Sequence, residues 1–304
     1  MIRALVTGAG GQVGAQVARI LEGRAEAIAL DRSRLDLSDA GAIAARIREV
    51  RPQLIVNAAA YTAVDRAESE ESLAHAVNAV APGVIAGEAL RCGALLVHFS
   101  TDYVFDGEKS SPYVESDPAN PLSVYGRTKL AGERNIEASG CAHVILRTSW
   151  VYGPQGANFL LTMLRLAATR DELRIVDDQR GAPTSSLQIA RAVMELFTPG
   201  GPARAVTAAD IARVAARRGL YHATAAGETT WFGFARAIFE ARARALGPTF
   251  RPPRLVAIPT REYPTPARRP AYSLLSNARL EHTFGVRLAD WRAGLEETLS
   301  ALGD

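Results

Sequence analysis

The chain has 304 residues, 48% of them hydrophobic, and a formal net charge of +3, which suits one large domain or two lobes around a sizeable core. Its charges are scattered, with no run of five like charges, so nucleic acid is not an expected partner. Two cysteines exclude a disulfide framework, no run of 18 uncharged apolar residues marks a membrane span, and no signal-type leader opens the sequence; a cytoplasmic protein with no membrane partner is expected.

The first half alternates short apolar runs with helical patterns. The runs are IRALVT (2–7), AIALD (27–31), QLIVNAA (53–59), ALLVHFS (94–100) and HVILRTS (143–149). Between them, apolar residues recur at three- and four-residue spacing, as amphipathic helices require. Strand–helix alternation with near-continuous apolar strands predicts an α/β fold: a doubly wound parallel sheet of the Rossmann type, covered on both faces. After about residue 150 the rhythm breaks and prolines cluster in 252–270. The expected division is a dinucleotide-binding domain over 1–150, with part of 171–218 returning to it, and a smaller mixed α/β substrate lobe over 151–304. PGGPARA (199–205) reads as a flexible surface insertion.

TGAGGQVG (7–14) follows the first run and opens the first helix. Gly8, Gly11 and Gly14 give a tight turn, a bare backbone and a helix amino end for a pyrophosphate, with Gln12 and Val13 beside them. Asp31 ends the second run at close to the spacing expected for a carboxylate on an adenosine ribose. Arg32 follows and suits a 2′-phosphate, so NADH and NADPH both stay open as cofactors. Asp36 and Leu37 precede the second helix, with Ser38 the expected helix cap. NAAAYT (57–62) ends the third run in small residues that let a flat cofactor lie on the strand ends.

Reading the chain residue by residue gives only two lysines, Lys109 and Lys129, among 35 basic side chains. Lys129 lies four residues after Tyr125 in a helical pattern, which puts both on one face. An ammonium beside a phenol favours phenolate and brings its pKa toward working pH, so Tyr125 and Lys129 make an acid–base pair. Ser100 and Thr101, at the end of the fourth run, can donate a hydrogen bond to a carbonyl on the same strand edge.

TGxxGxxG, Asp31, NAAA, the fourth-strand Ser/Thr and YxxxK resemble an extended short-chain dehydrogenase/reductase. VNAAAYTAVDRAESE (56–70), FSTDYVFDG (99–107), NPLSVYGRTKLAGE (120–133), RTSWVYG (147–153), DDQRGAPT (177–184) and YPTPARRP (263–270) together resemble the dTDP-4-dehydrorhamnose reductase family. That resemblance implies hydride transfer from NADPH or NADH to the C4 ketone of dTDP-6-deoxy-L-lyxo-4-hexulose, giving dTDP-L-rhamnose. It implies Tyr125 as proton donor, Lys129 on the nicotinamide ribose and Thr101 on the carbonyl oxygen. Asp102 and Trp150 would position the sugar, and Arg268 or Arg269 would meet the diphosphate. Ala60, Tyr61, Thr62 and Phe99 would join the glycine loop, Asp31, Asp36 and Leu37 around the cofactor.

Some relatives form magnesium-bridged dimers through glutamates at positions that are Gln16, Leu187 and Arg292 here. None is a carboxylate, so no metal site is expected, and the chain is read as a monomer or weak homodimer. Tyr103 replaces the acid that a dehydratase needs. A nucleotide-sugar epimerase remains an alternative, as does a non-catalytic dinucleotide-binding regulatory subunit.

Overall fold

A computed structural model describes residues 1–199 and 204–303. Residues 200–203 of the expected surface insertion therefore lie outside the described residues. Five strands fall on the five apolar runs: β1 (Arg3–Thr7), β2 (Glu26–Leu30), β3 (Leu54–Asn57), β4 (Leu95–Thr101) and β5 (His143–Thr148). The helices between them are α1 (Gln12–Leu21), α2 (Ala40–Val50), α3 (Val64–Ala67), α4 (Glu71–His75), α5 (Ala81–Cys92) and α6 (Val124–Ser139). The remainder comprises β6 (Val151–Tyr152), α7 (Phe159–Ala167), β7 (Glu172–Val176), β8 (Arg180–Gly181), β9 (Thr184–Ser185), α8 (Ser186–Phe197) and α9 (Ala208–Ala215). It continues through β10 (Gly219–His222), β11 (Thr229–Thr230), α10 (Trp231–Leu246), β12 (Arg254–Ile258), α11 (Ala278–Phe284) and α12 (Trp291–Leu302).

The main sheet has the order β10-β5-β4-β3-β1-β2, with every pairing parallel. β2 and β3 leave β1 on opposite sides, so a crevice opens beyond the carboxyl ends of β1 and β3. The sheet is apolar on both faces, and side-chain alternation divides each strand between two cores. Ala4, Val6, Leu54, Val56, Leu95, Val97, Val144 and Leu146 face α1, α8 and α9. Leu5, Ile55, Leu96 and Ile145 face α2, α5 and α6. A third core, with Tyr152, Leu160, Phe234, Ile238, Trp291 and Leu295, lies under the C-terminal half.

α4 and α5 join through a π-helical turn, Ala76–Val80. The continuous stretch Glu71–Cys92 passes for a membrane span by length and apolar composition, although half of it is buried inside the protein. It also contributes Ala81, Ile85, Ala86 and Ala89 to one sheet core, so we read it as a core helix. The cap of α2 is Asp39, whose carboxylate accepts from the Ala42 N–H, and not the expected Ser38. Ser38 instead donates its N–H and hydroxyl to Asp36 Oδ1, a two-residue Asx turn that takes it out of capping reach.

Candidate active site

β1 delivers the chain to Gly8 at φ +70°, and the Gly11 N–H closes the turn on the Gly8 carbonyl at 2.9 Å. A Cβ on Gly8 would stand 2.6 Å from the Ala59 nitrogen, and one on Gly14 only 2.1 Å from the Gly8 oxygen. Both glycines are therefore forced by close backbone approach. Gly14 lies behind the turn and does not line the cleft; Gly8, Gly11, Gln12 and Val13 do. The cleft measures about 840 Å³ and runs along the carboxyl ends of the strands.

One end is polar and open. Asp31 Oδ1 accepts from the Ser33 hydroxyl at 2.6 Å and the Ser33 N–H at 3.0 Å, and these bonds hold its carboxyl below the usual range. The Ser38 N–H and hydroxyl do the same for Asp36. Arg32 and Leu37 complete this end. Ala60, Tyr61 and Thr62 line the cleft after β3. Asn78, in the π-helical turn, grips their loop by accepting from the Tyr61 N–H and donating to the Tyr61 carbonyl, and it also reaches Thr128 on α6. The sequence reading missed Asn78, although a lone Asn inside an apolar helical pattern is a signal of its own.

The other end is buried. α6 begins where Ser123 caps the Gly126 N–H, and it ends at Gly140 in the left-handed region. It carries Tyr125, Lys129 and Glu133 on successive turns. Lys129 donates to the Phe99 carbonyl at 2.6 Å and contacts His98 Nε2 at 3.3 Å. Burial pulls its ammonium down to about 8, against the stabilising charge of Glu133. Glu133 is itself buried, in a two-bond pair with Arg147. Thr101 donates to Asp102 Oδ1 at 3.0 Å, and burial pushes the Asp102 carboxyl up to about 6.

Tyr125 differs from expectation. Its phenol is pushed up to about 12, chiefly by burial, while a hydrogen bond with Thr101 pulls the other way. Desolvation of the phenolate dominates, and Lys129 turns two of its contacts to Phe99 and His98.

Trp150 closes this end. Its backbone sits at φ +47°, and its ring stacks on Trp231 at 3.7 Å and 7°. A Cβ on Gly181 would lie 2.5 Å from the Trp150 ring, so the indole occupies a slot that only glycine leaves open. Phe99, Thr101, Asp102, Tyr125, Lys129 and Trp150 all line the one cleft. Arg269 does not line it: it pairs with Asp65 at 2.8 Å, bonds Thr265 and Ala267, and lies against Tyr103, which does. Arg268, beside it, is exposed. Tyr103 lines the cleft as well, and so do Thr148, Ser149, Gly156 and Ala157, which were not singled out in the sequence. RTSWVYG had flagged Thr148 and Ser149 only as parts of a motif.

Among the described residues, Ser100 Oγ and Thr148 Oγ1 are buried without a hydrogen-bond partner and belong to residues of the cleft wall. Unpaired buried polar atoms on a cleft wall suit a ligand rich in hydroxyls and amides, and the glycine cradle suits a pyrophosphate, so the residues present fit a nicotinamide dinucleotide. Among the described residues no group of three His, Cys, Asp or Glu side chains is placed to hold a metal ion.

Residues 2–303 match the family model described as the RmlD substrate binding domain. A dTDP-4-dehydrorhamnose reductase of Burkholderia thailandensis is 47% identical over 294 residues, 96% of each chain. The crystal structure of a dTDP-4-dehydrorhamnose reductase from Clostridium acetobutylicum superposes with a TM-score of 0.89 at 37% identity, covering 100% of both chains. A Bacillus anthracis dTDP-4-dehydrorhamnose reductase, solved in complex with NADP, superposes with a TM-score of 0.86 at 32% identity, covering 99% of each.

Proposed function

Because the chain belongs to the dTDP-4-dehydrorhamnose reductase family, we propose that its cleft reduces the C4 ketone of dTDP-6-deoxy-L-lyxo-4-hexulose to dTDP-L-rhamnose. It is an NAD(P)H-dependent oxidoreductase on a nucleotide-sugar ketone. The observation that carries this reading is the convergence of Thr101, Tyr125 and Lys129 on the cleft that the glycine loop opens. A reduced nicotinamide dinucleotide, when bound, supplies the hydride.

The chain's own residues do the rest. Gly8, Gly11, Gln12 and Val13 present the turn and the start of α1 to a pyrophosphate, and Asp31 offers its free Oδ2 to a ribose. Ala60, Tyr61, Thr62 and Phe99 form the wall along the cofactor. Thr101, its single hydroxyl hydrogen turned from Asp102, and Tyr125 hold the ketone oxygen, and Tyr125 gives it a proton as the alcohol forms. A partly buried phenol held near 12 releases that proton only to a strongly basic oxygen, which is what a forming alkoxide is. Lys129 keeps a donor for the nicotinamide ribose, and Trp150 offers an apolar face with a polar N–H to the sugar.

The intact proton donor set favours reduction over the role of a non-catalytic regulatory subunit, which has no use for one. A nucleotide-sugar epimerase would retain tightly bound NAD after purification. We further propose a cytoplasmic monomer or weak homodimer without a metal bridge, since Gln16, Leu187 and Arg292 supply no carboxylate to a hard cation.

The test is absorbance at the reduced-nicotinamide band with the dTDP-4-keto sugar. Wild type should consume cofactor, and Tyr125→Phe should lose roughly a thousandfold in kcat. A Tyr125→Phe enzyme of undiminished rate removes Tyr125 from proton transfer. A wild type silent with both cofactors moves the assignment to the regulatory reading.

A further inference from the structure

The nitrogen of Lys129 makes two contacts inside the protein, the Phe99 carbonyl at 2.6 Å and His98 Nε2 at 3.3 Å. That leaves one N–H for the cleft that Lys129 lines. Behind His98 the contacts continue: Nδ1 lies 3.0 Å from Asn57 Nδ2, and Asn57 Oδ1 accepts from Thr7 Oγ1 at 2.7 Å. All four side chains are buried. The other ionisable groups around Lys129 are Tyr125 and Glu133 on its own helix, Arg147 of β5 behind Glu133, and Asp102 beyond Tyr125. Burial and the neighbouring Lys129 hold His98 well below its ordinary pKa, so it stays neutral.

A neutral imidazole has one N–H and one lone pair, which restricts where the protons in this chain can sit. If Lys129 is an ammonium, it donates to Nε2 and the His98 proton is on Nδ1. Asn57 must then turn its oxygen to His98 and its amide N–H to Thr7. With Asn57 Nδ2 facing Nδ1, as found, Nδ1 accepts, the proton sits on Nε2, and Lys129 receives it as a neutral amine. Both arrangements keep the Lys129–His98 and His98–Asn57 contacts paired, and the first requires the Thr7 hydroxyl hydrogen to turn to another acceptor. They differ by one imidazole proton, half a turn of the Asn57 amide and the rotor of Thr7.

We propose that His98 is a positioning residue for Lys129, and that the Thr7–Asn57–His98 chain holds the lysine nitrogen in one place both as ammonium and as amine by exchanging the His98 tautomer. The third N–H then stays aimed at the cleft in either state. An arginine has no neutral form and cannot take part in this exchange, which gives a reason for a lysine in a chain that otherwise writes nearly all its positive charge as arginine. The inference rests on the reading of Lys129 as the cofactor-holding residue.

Imidazole ¹⁵N NMR of the wild-type protein tests it. The His98 signals can be assigned by replacing His75, His143, His222 and His282 one at a time. His98 should stay neutral while its proton moves from Nδ1 to Nε2 as Lys129 titrates near pH 8. A single tautomer throughout, or an imidazolium, overturns the proposal. In cofactor titrations, His98→Leu should weaken binding about tenfold, and His98→Gln, which restores an acceptor, should stay within about twofold of wild type. Full affinity in His98→Leu also overturns it. Neither readout needs turnover, so a wild type that binds cofactor and shows the exchange but reduces no keto sugar refutes the catalytic reading alone. Should His98→Leu fail to fold, the wild-type spectrum still decides.

Discussion

The two ends of the cleft place opposite demands on the fold. At the nucleotide end, Asp31 and Asp36 sit near solvent, and hydrogen bonds from residues two or three positions on hold their carboxyls below the usual range. At the reaction end, Asp102 and Lys129 are buried and Tyr125 is partly buried, and desolvation moves each toward its neutral form. A site that binds charge can be built from turn chemistry at the surface. A site that moves a proton needs groups whose ionised forms are expensive, and the rest of the molecule must carry that expense.

The contrast is open to measurement, and the largest effect on stability is expected at Asp102. Its folded carboxyl titrates near 6 instead of near 3.8, so the folded state binds the extra proton between about pH 4 and 6. Stability therefore falls as pH rises through that window, and above it the charged carboxylate costs about 3 kcal/mol. Asp102→Asn should recover most of that at pH 7.5 and almost none at pH 4, read as denaturant midpoints at the two pH values. An equal gain at both would mean that burial of charge is not what sets the two ends apart.

Lys129→Met should give a smaller gain. The lysine titrates near 8 in the fold and near 10.5 free, so the penalty is complete below pH 8 and is relieved as pH climbs toward 10.5. Methionine removes the penalty but leaves the Phe99 carbonyl without the donor it now has at 2.6 Å, a cost of about 1–3 kcal/mol. We expect a net gain of about 1 kcal/mol at pH 7 that disappears by about pH 10, alongside near-complete loss of reductase activity. Destabilisation at pH 7 would show that Lys129 is structural as well as functional.

What could be read from the sequence follows the same division. The five strands and α6 were legible because each is marked locally, by an apolar run or by apolar residues at three- and four-residue spacing. The glycine turn and Asp31 were legible because their partners lie within a few residues. β10 was not: GLYH is too short to show a period and joins the sheet only by pairing with β5. The pairing of Tyr125 with Lys129 could be read from their spacing, but their protonation could not. It depends on burial and on Phe99 and His98, about thirty residues away in sequence. The Arg269–Asp65 pair was not legible for the same reason, since the two lie 204 positions apart.

The smallest effect on the fold is expected at Asp31, and it sharpens the comparison through ligand choice. The carboxylate is partly exposed and satisfied by Ser33, so Asp31→Asn should shift the unfolding midpoint little at any pH. Its consequence lies in the cofactor. Oδ2 is free for a ribose hydroxyl, whereas a 2′-phosphate there would meet a negative charge, with Arg32 alongside to offset it. Asp31→Asn should therefore raise the KM for NADH about tenfold and leave the KM for NADPH unchanged or lower. Equal losses for both cofactors would place Asp31 in the turn alone, as a residue that shapes the loop through Ser33 and Arg34 without touching the ribose.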